Sequence, residues 1–435
     1  MNVGSNFSCH GFPMRSTLLI GLLLGVFFAA WQSHPPHVLA PFAQVASNTA
    51  NVDAPTQYSS RFVSTQLTDF VHSSSVTALP GGDLMAVWFA GSREGAADVQ
   101  VRTARFDARS GEWGAEQVLA TRESTRDGTQ RHIRKLGNPV IALAPDNRLW
   151  MFYVSVSVGG WATSAINVMV SDDLGASWTA PRQLVTSPFF NISTLVRAAP
   201  VFHADGSIGL PVYHEFMGKF AEYLYLSADG AVIDKFRISR GKNALQPTIV
   251  PLDGQRAVAM LRYAGDTHHR VLASRTADAG QTWSPPYPLE PANPNSSLAA
   301  VGTADDGLLV ALNDLQDGRF KLSLYSTDAQ LSQWRTVVEL DQSPDPLGQP
   351  FSPEAYKAII GEGFRASSGA KRLPLAQRFL SNLDYRVCKP QGCDFEYEYP
   401  YFSRSPDGMY HLVYSWNNTF IKHVSFNEAW LAERL

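Results

Sequence analysis

One phrase recurs along this chain: a tight turn built on Asp, Gly or Pro, followed at once by an apolar run. Gly82-Asp83 leads into Leu84 to Ala90. Pro145-Asp146-Asn147-Arg148 leads into Leu149 to Val156, and Ala204-Asp205-Gly206 into Ile208 to Glu215. Leu252-Asp253-Gly254, Asp305-Asp306-Gly307 and Pro406-Asp407-Gly408 lead into Ala257 to Tyr263, Leu308 to Asn313 and Met409 to Trp416. Pro presets φ and Gly tolerates positive φ, so these are turns, and the runs after them are rich in β-formers. The first five of the six units lie roughly fifty to sixty-five residues apart, and the last gap is nearer a hundred. That period suits four-stranded propeller blades and not a β-sandwich.

A second repeat interleaves with the first. Ser171-Asp-Asp-Leu-Gly-Ala-Ser-Trp178 and Thr276-Ala-Asp-Ala-Gly-Gln-Thr-Trp283 are Asp-boxes, with weaker copies at Phe106 to Trp113, Ser227 to Gly230 and Ser326 to Trp334. Such a box is a turn between outer strands, its Asp bonding backbone amides and its Trp packing beneath, so its Asp residues are structural. The expected fold is all-β: a six-bladed β-propeller of four-stranded antiparallel blades.

The segment from about 341 to 394 breaks the period. Four prolines (Pro344, Pro346, Pro350, Pro353) precede Glu354-Ala-Tyr-Lys-Ala-Ile-Ile, and that stretch and Leu373 to Leu383 have helical spacing. It reads as an insertion between blades five and six that either shapes a binding site or covers a blade edge. Cys388 and Cys393 enclose Lys-Pro-Gln-Gly. In an exported chain the pair reads as a small disulfide, with two free thiols as the alternative.

Export is suggested by the N-terminus. Arg15 precedes Ser16 to Trp31, about sixteen mostly apolar residues, a length between a signal core and a spanning helix. Residues 1–31 read as a signal or anchor. An uncleaved anchor is favoured over a cleaved signal, because the nearest small-x-small site, Val38-Leu39-Ala40, is distant and precedes Pro41. Residues 32–58 read as a linker and 59–435 as the propeller. The globular part is therefore expected in the periplasm or outside the cell, touching membrane only through the N-terminal segment, and as a monomer. A net charge of −3 without long charged runs gives no nucleic-acid footprint. No cofactor motif occurs, so no cofactor and no catalytic metal are expected.

The residues then carry a resemblance. Asp-boxes on a six-bladed propeller resemble the sialidases (neuraminidases). More closely, the chain is similar to the bacterial sialidase-like BNR-repeat family through Val71-His-Ser-Ser-Ser-Val76, Ala86-Val-Trp-Phe-Ala-Gly-Ser-Arg-Glu-Gly-Ala-Ala-Asp98, Gly137-Asn-Pro-Val140, Leu245-Gln-Pro-Thr248, Asn293-Pro-Asn-Ser296, Glu398-Tyr-Pro400 and Ile421-Lys-His-Val424. The resemblance implies an exo-alpha-sialidase type of glycosidase. Arginines grip the sugar carboxylate, a Tyr nucleophile replaces the usual carboxylate, and an Asp serves as acid and base at the leaving oxygen.

Carried over by position, Asp98 matches the acid/base and Tyr399 the nucleophile. Arg93, with Glu94 beside it, matches the substrate contact before that Asp, and Arg262 matches one clamp arginine. Glu398 and Glu396 flank the nucleophile. Three positions depart. His72 stands where the first clamp arginine would be, as an acid/base or anion contact. Gln246 stands where a Glu would activate the Tyr, and Gln takes no proton at neutral pH. Near the third clamp position there is no Arg, and Asn295 is the polar candidate. Arg197, and with it His214 and Glu215, are further funnel candidates in blade three. Each of these has a structural alternative: a blade cap for Asp98, a surface pair for Arg93 and Glu94, a buried ion pair for Arg262, core packing for Tyr399 and His72, and strand pinning for Gln246. Two function classes follow. One is a glycosidase acting on a terminal acidic or uronic sugar, in the sialidase manner or by another route through His72, Asp98 and Tyr399. The other is a propeller that binds a glycan or polysaccharide without cleaving it.

Overall fold

The computed structural model describes residues 14–32, 37–43, 54–63, 70–186, 193–216, 218–241, 243–368, 377, 380–381 and 388–435. The chain divides into Met1–Val38 and Leu39–Leu435. The first unit holds one 19-residue helix, Met14–Gln32, with Leu18, Leu22 and Phe27 exposed. Among the described residues no helix is long and apolar enough to cross a membrane.

The second unit is a six-bladed β-propeller. Its blades are six antiparallel sheets of four or five strands, and a two-stranded sheet lies apart from them. The innermost strands are Phe70–Ala78, Lys135–Leu143, Leu195–Val196 with Val201–Phe202, Ala244–Pro251, Ala299–Gly302 and Tyr397–Arg404. Consecutive blades pack together through these strands and their neighbours, and blade six returns to blade one. All six repeated turns join an innermost strand to the second strand of its blade. Those second strands are the apolar runs of the sequence: every residue of Leu84–Gly91, Leu149–Val156 and Tyr410–Trp416 is buried. A strand covered on both faces has no polar face to present, so it reads as a continuous apolar run.

Two closures were hidden in the sequence. Tyr58–Phe62 is the outermost strand of blade six, pairing antiparallel with Phe420–Phe426, so chain start and chain end complete one blade. Phe62 stacks on Phe420 at 4.5 Å. Part of the stretch read as a linker also docks on the propeller. Phe42 is 1% exposed, its N–H donates to Gly254 O at 2.8 Å and the Ala43 N–H to Phe202 O at 2.8 Å.

The Asp-boxes are turns, as read. Asp173 Oδ1 accepts from the Ser177 N–H at 2.8 Å, and Asp278 Oδ1 from the Thr282 N–H at 2.8 Å. The weak copy at Ser326 to Trp334 is a full box, with Asp328 accepting from the Ser332 N–H at 2.7 Å and Trp334 Nε1 donating to Leu331 O at 3.0 Å.

The insertion forms the helix Pro353–Ser368, with the Ser352 Oγ accepting from the Ala355 N–H at its start. Its buried stripe, Tyr356, Ile360 and Phe364, follows the four-residue spacing that puts side chains on one face. That face meets Phe395 and Phe420 of blade six, at 4.7 Å from Tyr356 and 5.3 Å from Phe364. The second helical stretch, Leu373 to Leu383, lies almost wholly outside the described residues. Cys388 and Cys393 are bonded as a disulfide. The hairpin they close is pinned to the insertion by paired backbone bonds between Phe351 and Cys393.

Candidate active site

Each blade offers the funnel one residue with a left-handed backbone at or just before its innermost strand: Ser73 (φ 53°), Asn138 (45°), Ser193 (53°), Gln246 (47°), Asn295 (58°) and Tyr399 (52°). Four of these positions break the strand register as bulges. A bulge leaves its extra residue unpaired and re-aims a side chain. Pro139, Pro247 and Pro400 follow three of the six, where the missing N–H costs no ladder bond. Left-handed non-glycine residues cost on the order of 1–3 kcal/mol each and cluster at functional sites. Six at equivalent places mark the funnel floor.

Four of them, Ser73, Asn138, Gln246 and Asn295, join a chain of polar contacts that touches all six blades. Ser73 Oγ donates to Asn138 Oδ1 (3.3 Å), and Asn138 Nδ2 donates to Tyr213 OH (3.1 Å). Gln246 Nε2 donates to the same hydroxyl (3.3 Å) and Gln246 Oε1 accepts from Arg262 Nη1 (3.3 Å). Arg262 Nε donates to Asn295 Oδ1 (2.7 Å) and Arg319 Nη2 to Asn295 O (3.0 Å). Arg319 Nη1 pairs with Glu398 Oε1, and Glu398 Oε2 lies 3.7 Å from His72 Nδ1. His72 Nδ1 bonds Asn418 Oδ1 (2.7 Å), and Asn418 Nδ2 donates to Glu396 Oε2 (3.0 Å).

Burial sorts these groups. His72, Glu398, Gln246 and Tyr213 are at most 4% exposed. Asn138, Arg262, Asn295, Arg319, Glu396, Tyr399 and Asn418 are half-buried, so they form the surface a ligand meets. His72 stands behind Tyr399, its ring edge-on at 4.5 Å between centroids, and is too buried for the anion contact expected of it. Because Asn418 Oδ1 only accepts, the neutral His72 carries its proton on Nδ1 and leaves Nε2 with a lone pair. Burial pulls the Glu398 carboxyl upward, but the charge of His72 in its protonated form, then that of Arg319 with its hydrogen bond, outweighs it and holds it below the ordinary value. Glu396 goes the other way: burial, then the charge of Glu398, raises it to about 7. Two adjacent carboxyls with pKa values pushed apart can divide acid and base roles.

Arg197 is 3% exposed and donates to Tyr399 O and Pro400 O. Its Nε and Nη1 have no hydrogen-bond partner, but its Cζ lies 5.1 and 5.8 Å from the Tyr399 and Tyr401 ring centroids, within cation–π range. Burial lowers its pKa to about 10, so it stays charged at neutral pH. It holds the backbone of Tyr399 from beneath and is shut off from ligand.

The remaining sequence candidates take no part in that chain of polar contacts. Arg93, Glu94 and Asp98 are exposed. Both Asp98 oxygens are taken by Ser92, at 3.0 Å from its N–H and 2.9 Å from its hydroxyl, which is the capping alternative. His214 bonds Glu222 at 2.6 Å, and exposed Glu215 meets Ser193 through its backbone N–H. Sequence reasoning missed Tyr213, Arg319 and Asn418 and gave Glu396 no role. Only Asn418 had a local signal. Asn417-Asn418 between two apolar runs suits a hairpin turn with positive φ at both central residues, here 54° and 51°.

The family model described as BNR repeat-like domain matches residues 82–412. A search of curated proteins found no match. Among solved structures, the chain is similar to the intramolecular trans-sialidase from Ruminococcus gnavus in complex with oseltamivir carboxylate, with 13% identity, TM-score 0.59, and 86% of this chain and 97% of that one covered. The NanB sialidase from Streptococcus pneumoniae is 9% identical, with TM-score 0.59 over 89% of this chain and 70% of its own. A protein of unknown function from Dyadobacter fermentans is 11% identical, with TM-score 0.61 over 86% of this chain and 100% of its own. At these identities the likeness is one of fold.

Proposed function

The chain belongs to the BNR repeat-like domain family, and we propose that it works as an exported, sialidase-type glycoside hydrolase on a terminal acidic sugar of a glycan or polysaccharide. The observation that carries this reading is the packing of His72 edge-on to Tyr399, with Glu398 and Asn418 fixing His72 from behind. Export is supported by the Cys388–Cys393 disulfide, which persists in oxidising compartments.

In the proposed reaction the Tyr399 oxygen attacks the anomeric carbon as the bond to the leaving oxygen breaks. The phenol proton passes to His72 Nε2, and Glu396 protonates the leaving oxygen. Water then opens the tyrosyl–sugar bond with the same two groups in reversed roles. Arg262 and Arg319 face the sugar carboxylate, and their present acceptors, Asn295, Gln246 and Glu398, orient them for it. His72 thus replaces the base that Gln246 cannot be, since an amide takes no proton at neutral pH; Gln246 instead bonds Tyr213 and Arg262.

Leaving-group dependence tests the acid. Glu396→Gln should lose about 100-fold or more on an alkyl glycoside and little on a nitrophenyl glycoside, whose departing oxygen needs no proton. That pattern in Asp98→Asn instead would move the role to Asp98. A binding-only propeller is the second reading, favoured by the fact that both funnel arginines already have protein acceptors. It predicts saturable binding of acidic glycans with no turnover.

A further inference from the structure

The insertion closes on a disulfide hairpin next to Glu396. The hairpin strands, Cys388–Lys389 and Gly392–Cys393, have two residues each, and an isolated two-stranded hairpin is marginal in water. The Cys388–Cys393 disulfide holds them together. Cys393 is fully buried and exchanges both backbone hydrogen bonds with Phe351. Each cysteine is followed by a charged residue, Lys389 and Asp394, and Lys389 Nζ meets Asp394 Oδ2 at 2.6 Å. Lys389, Asp394 and Glu396 line one cavity of about 220 Å³. Lys389 is exposed, and an exposed ion pair adds little to stability. Its effect on a half-buried neighbour is larger, because burial weakens screening.

We propose that Lys389 and Asp394 are positioning residues for the proton of Glu396: held by the disulfide hairpin, the pair sets the charge state of Glu396 across the cavity that all three line. That this proton serves glycoside cleavage rests on the hydrolase reading; the control of Glu396 by the pair does not. The groups around Glu396 come from several elements. The Asn417-Asn418 turn supplies Asn417 Oδ1, which accepts the Glu396 N–H at 2.9 Å, and Asn418 Nδ2, which donates to its carboxylate at 3.0 Å, with His72 behind Asn418. The insertion helix supplies Tyr356. Glu398 follows two residues on, and Arg319 of blade five is committed to Glu398 and to Asn295 O. Burial and then Glu398 raise Glu396, Lys389 and then Arg319 lower it, and Asp394 raises it. Lys389 and Asp394 are the members of this set that can be exchanged without breaking the funnel's polar chain. They also pull in opposite directions, since a cation favours the carboxylate and an anion favours the acid. A hairpin that only braced the wall would answer to either loss in the same way, because both losses break the one ion pair.

The test is carbon-13 NMR of the glutamate carboxyls of the intact protein between about pH 5 and 9, the Glu396 signal being the one lost in Glu396→Gln. Lys389→Met should raise the Glu396 midpoint by about half a pH unit or more. Asp394→Asn should lower it, because the freed ammonium keeps Glu396 as its carboxylate neighbour on the cavity. Lys389→Arg, which keeps the charge, should leave the midpoint in place. Shifts of the same sign in Lys389→Met and Asp394→Asn, or a midpoint that stays put in either, would overturn the proposal. The alkaline limb of kcat/KM on an alkyl glycoside, which reports the acid of the free enzyme, should follow the same midpoints. A limb that stays put while the NMR midpoints move would remove Glu396 from the hydrolase reading and keep the proposal. Midpoints that do not move would sink the proposal whatever the turnover shows.

Discussion

The imidazole of His72 lies edge-on to the ring of Tyr399, 4.5 Å between centroids, and its Nδ1 is tied to Asn418 at 2.7 Å. The pair joins blade one to blade six where the funnel is lined by half-buried polar groups. If His72 Nε2 takes the Tyr399 proton, His72→Gln lowers kcat by about 10²–10⁴-fold with little change in KM. Steady-state kinetics on an acidic glycoside decide it. A kcat within threefold of wild type removes His72 from the proton path.

Arg197 separates positioning from stability. Its replacement by Met leaves two buried carbonyls, those of Tyr399 and Pro400, each costing about 1–3 kcal/mol. It also removes a buried cation that has no carboxylate partner among the described contacts, and that relief is worth several kcal/mol in order of magnitude. The two nearly cancel, so urea unfolding should shift by less than about 2 kcal/mol. Tyr399 loses its anchor, and kcat should fall at least about tenfold. Normal turnover in a strongly destabilised Arg197→Met would contradict the assignment.

Acid should unfold this propeller through two buried histidines. His411 Nδ1 lies 3.2 Å from His423 Nε2, and Trp113 Nε1 donates to His423 Nδ1 at 3.3 Å. Burial lowers His411 from 6.5 to about 4 and His423 well below its ordinary value. The unfolded state therefore binds more protons below pH 6.5, and stability falls as pH drops from there toward 4. His411 alone accounts for about 2 kcal/mol at pH 5. Denaturant titrations at pH 7 and pH 5 should show this loss, and it should shrink in His411→Gln.

Glu396 has the opposite sign. Its folded pKa of about 7 exceeds the ordinary 4.5, so the folded state binds the extra proton. Its contribution to stability is present below pH 4.5 and is lost as pH rises through 7. Relative to wild type, Glu396→Gln should gain stability between pH 5 and pH 8. A pH-independent difference would mean that the carboxyl titrates normally.

Closure through Tyr58–Phe62 predicts a sharp truncation boundary. A chain starting at residue 54 keeps that strand, and one starting at residue 70 loses both its pairing with Phe420–Phe426 and the buried Phe62. Loss of a buried Phe side chain alone costs about 3–5 kcal/mol. The shorter chain should unfold well below the longer one in a thermal melt; equal melting temperatures would show that blade six stands without its outer strand.

The blades could be read from the sequence because a turn and the apolar run after it are local events, each decided within about ten residues. Tyr399, Gln246 and Arg262 could be read because they sit in phrases tied to those strands. What pairs with what could not. Arg319 reaches Glu398 across 79 residues of chain and Asn418 reaches His72 across 346, and no local pattern encodes contacts made between blades or by ring closure. Tyr58–Phe62 was invisible for the same reason: a short, mixed strand in a polar stretch gains its meaning only from a partner at the other end of the chain. Asp98 shows the converse, since its phrase matched well but its carboxylate accepts two hydrogen bonds from Ser92, which position in a motif does not reveal.

The most direct measurement is turnover of a panel of fluorogenic glycosides, including sialic and uronic acids, by wild-type protein and Tyr399→Phe. The account expects release from at least one acidic sugar by the wild type, reduced by three orders of magnitude or more, in order of magnitude, in Tyr399→Phe. Release that survives in Tyr399→Phe, or no release of any acidic sugar by the wild type, would contradict a tyrosine-centred hydrolase.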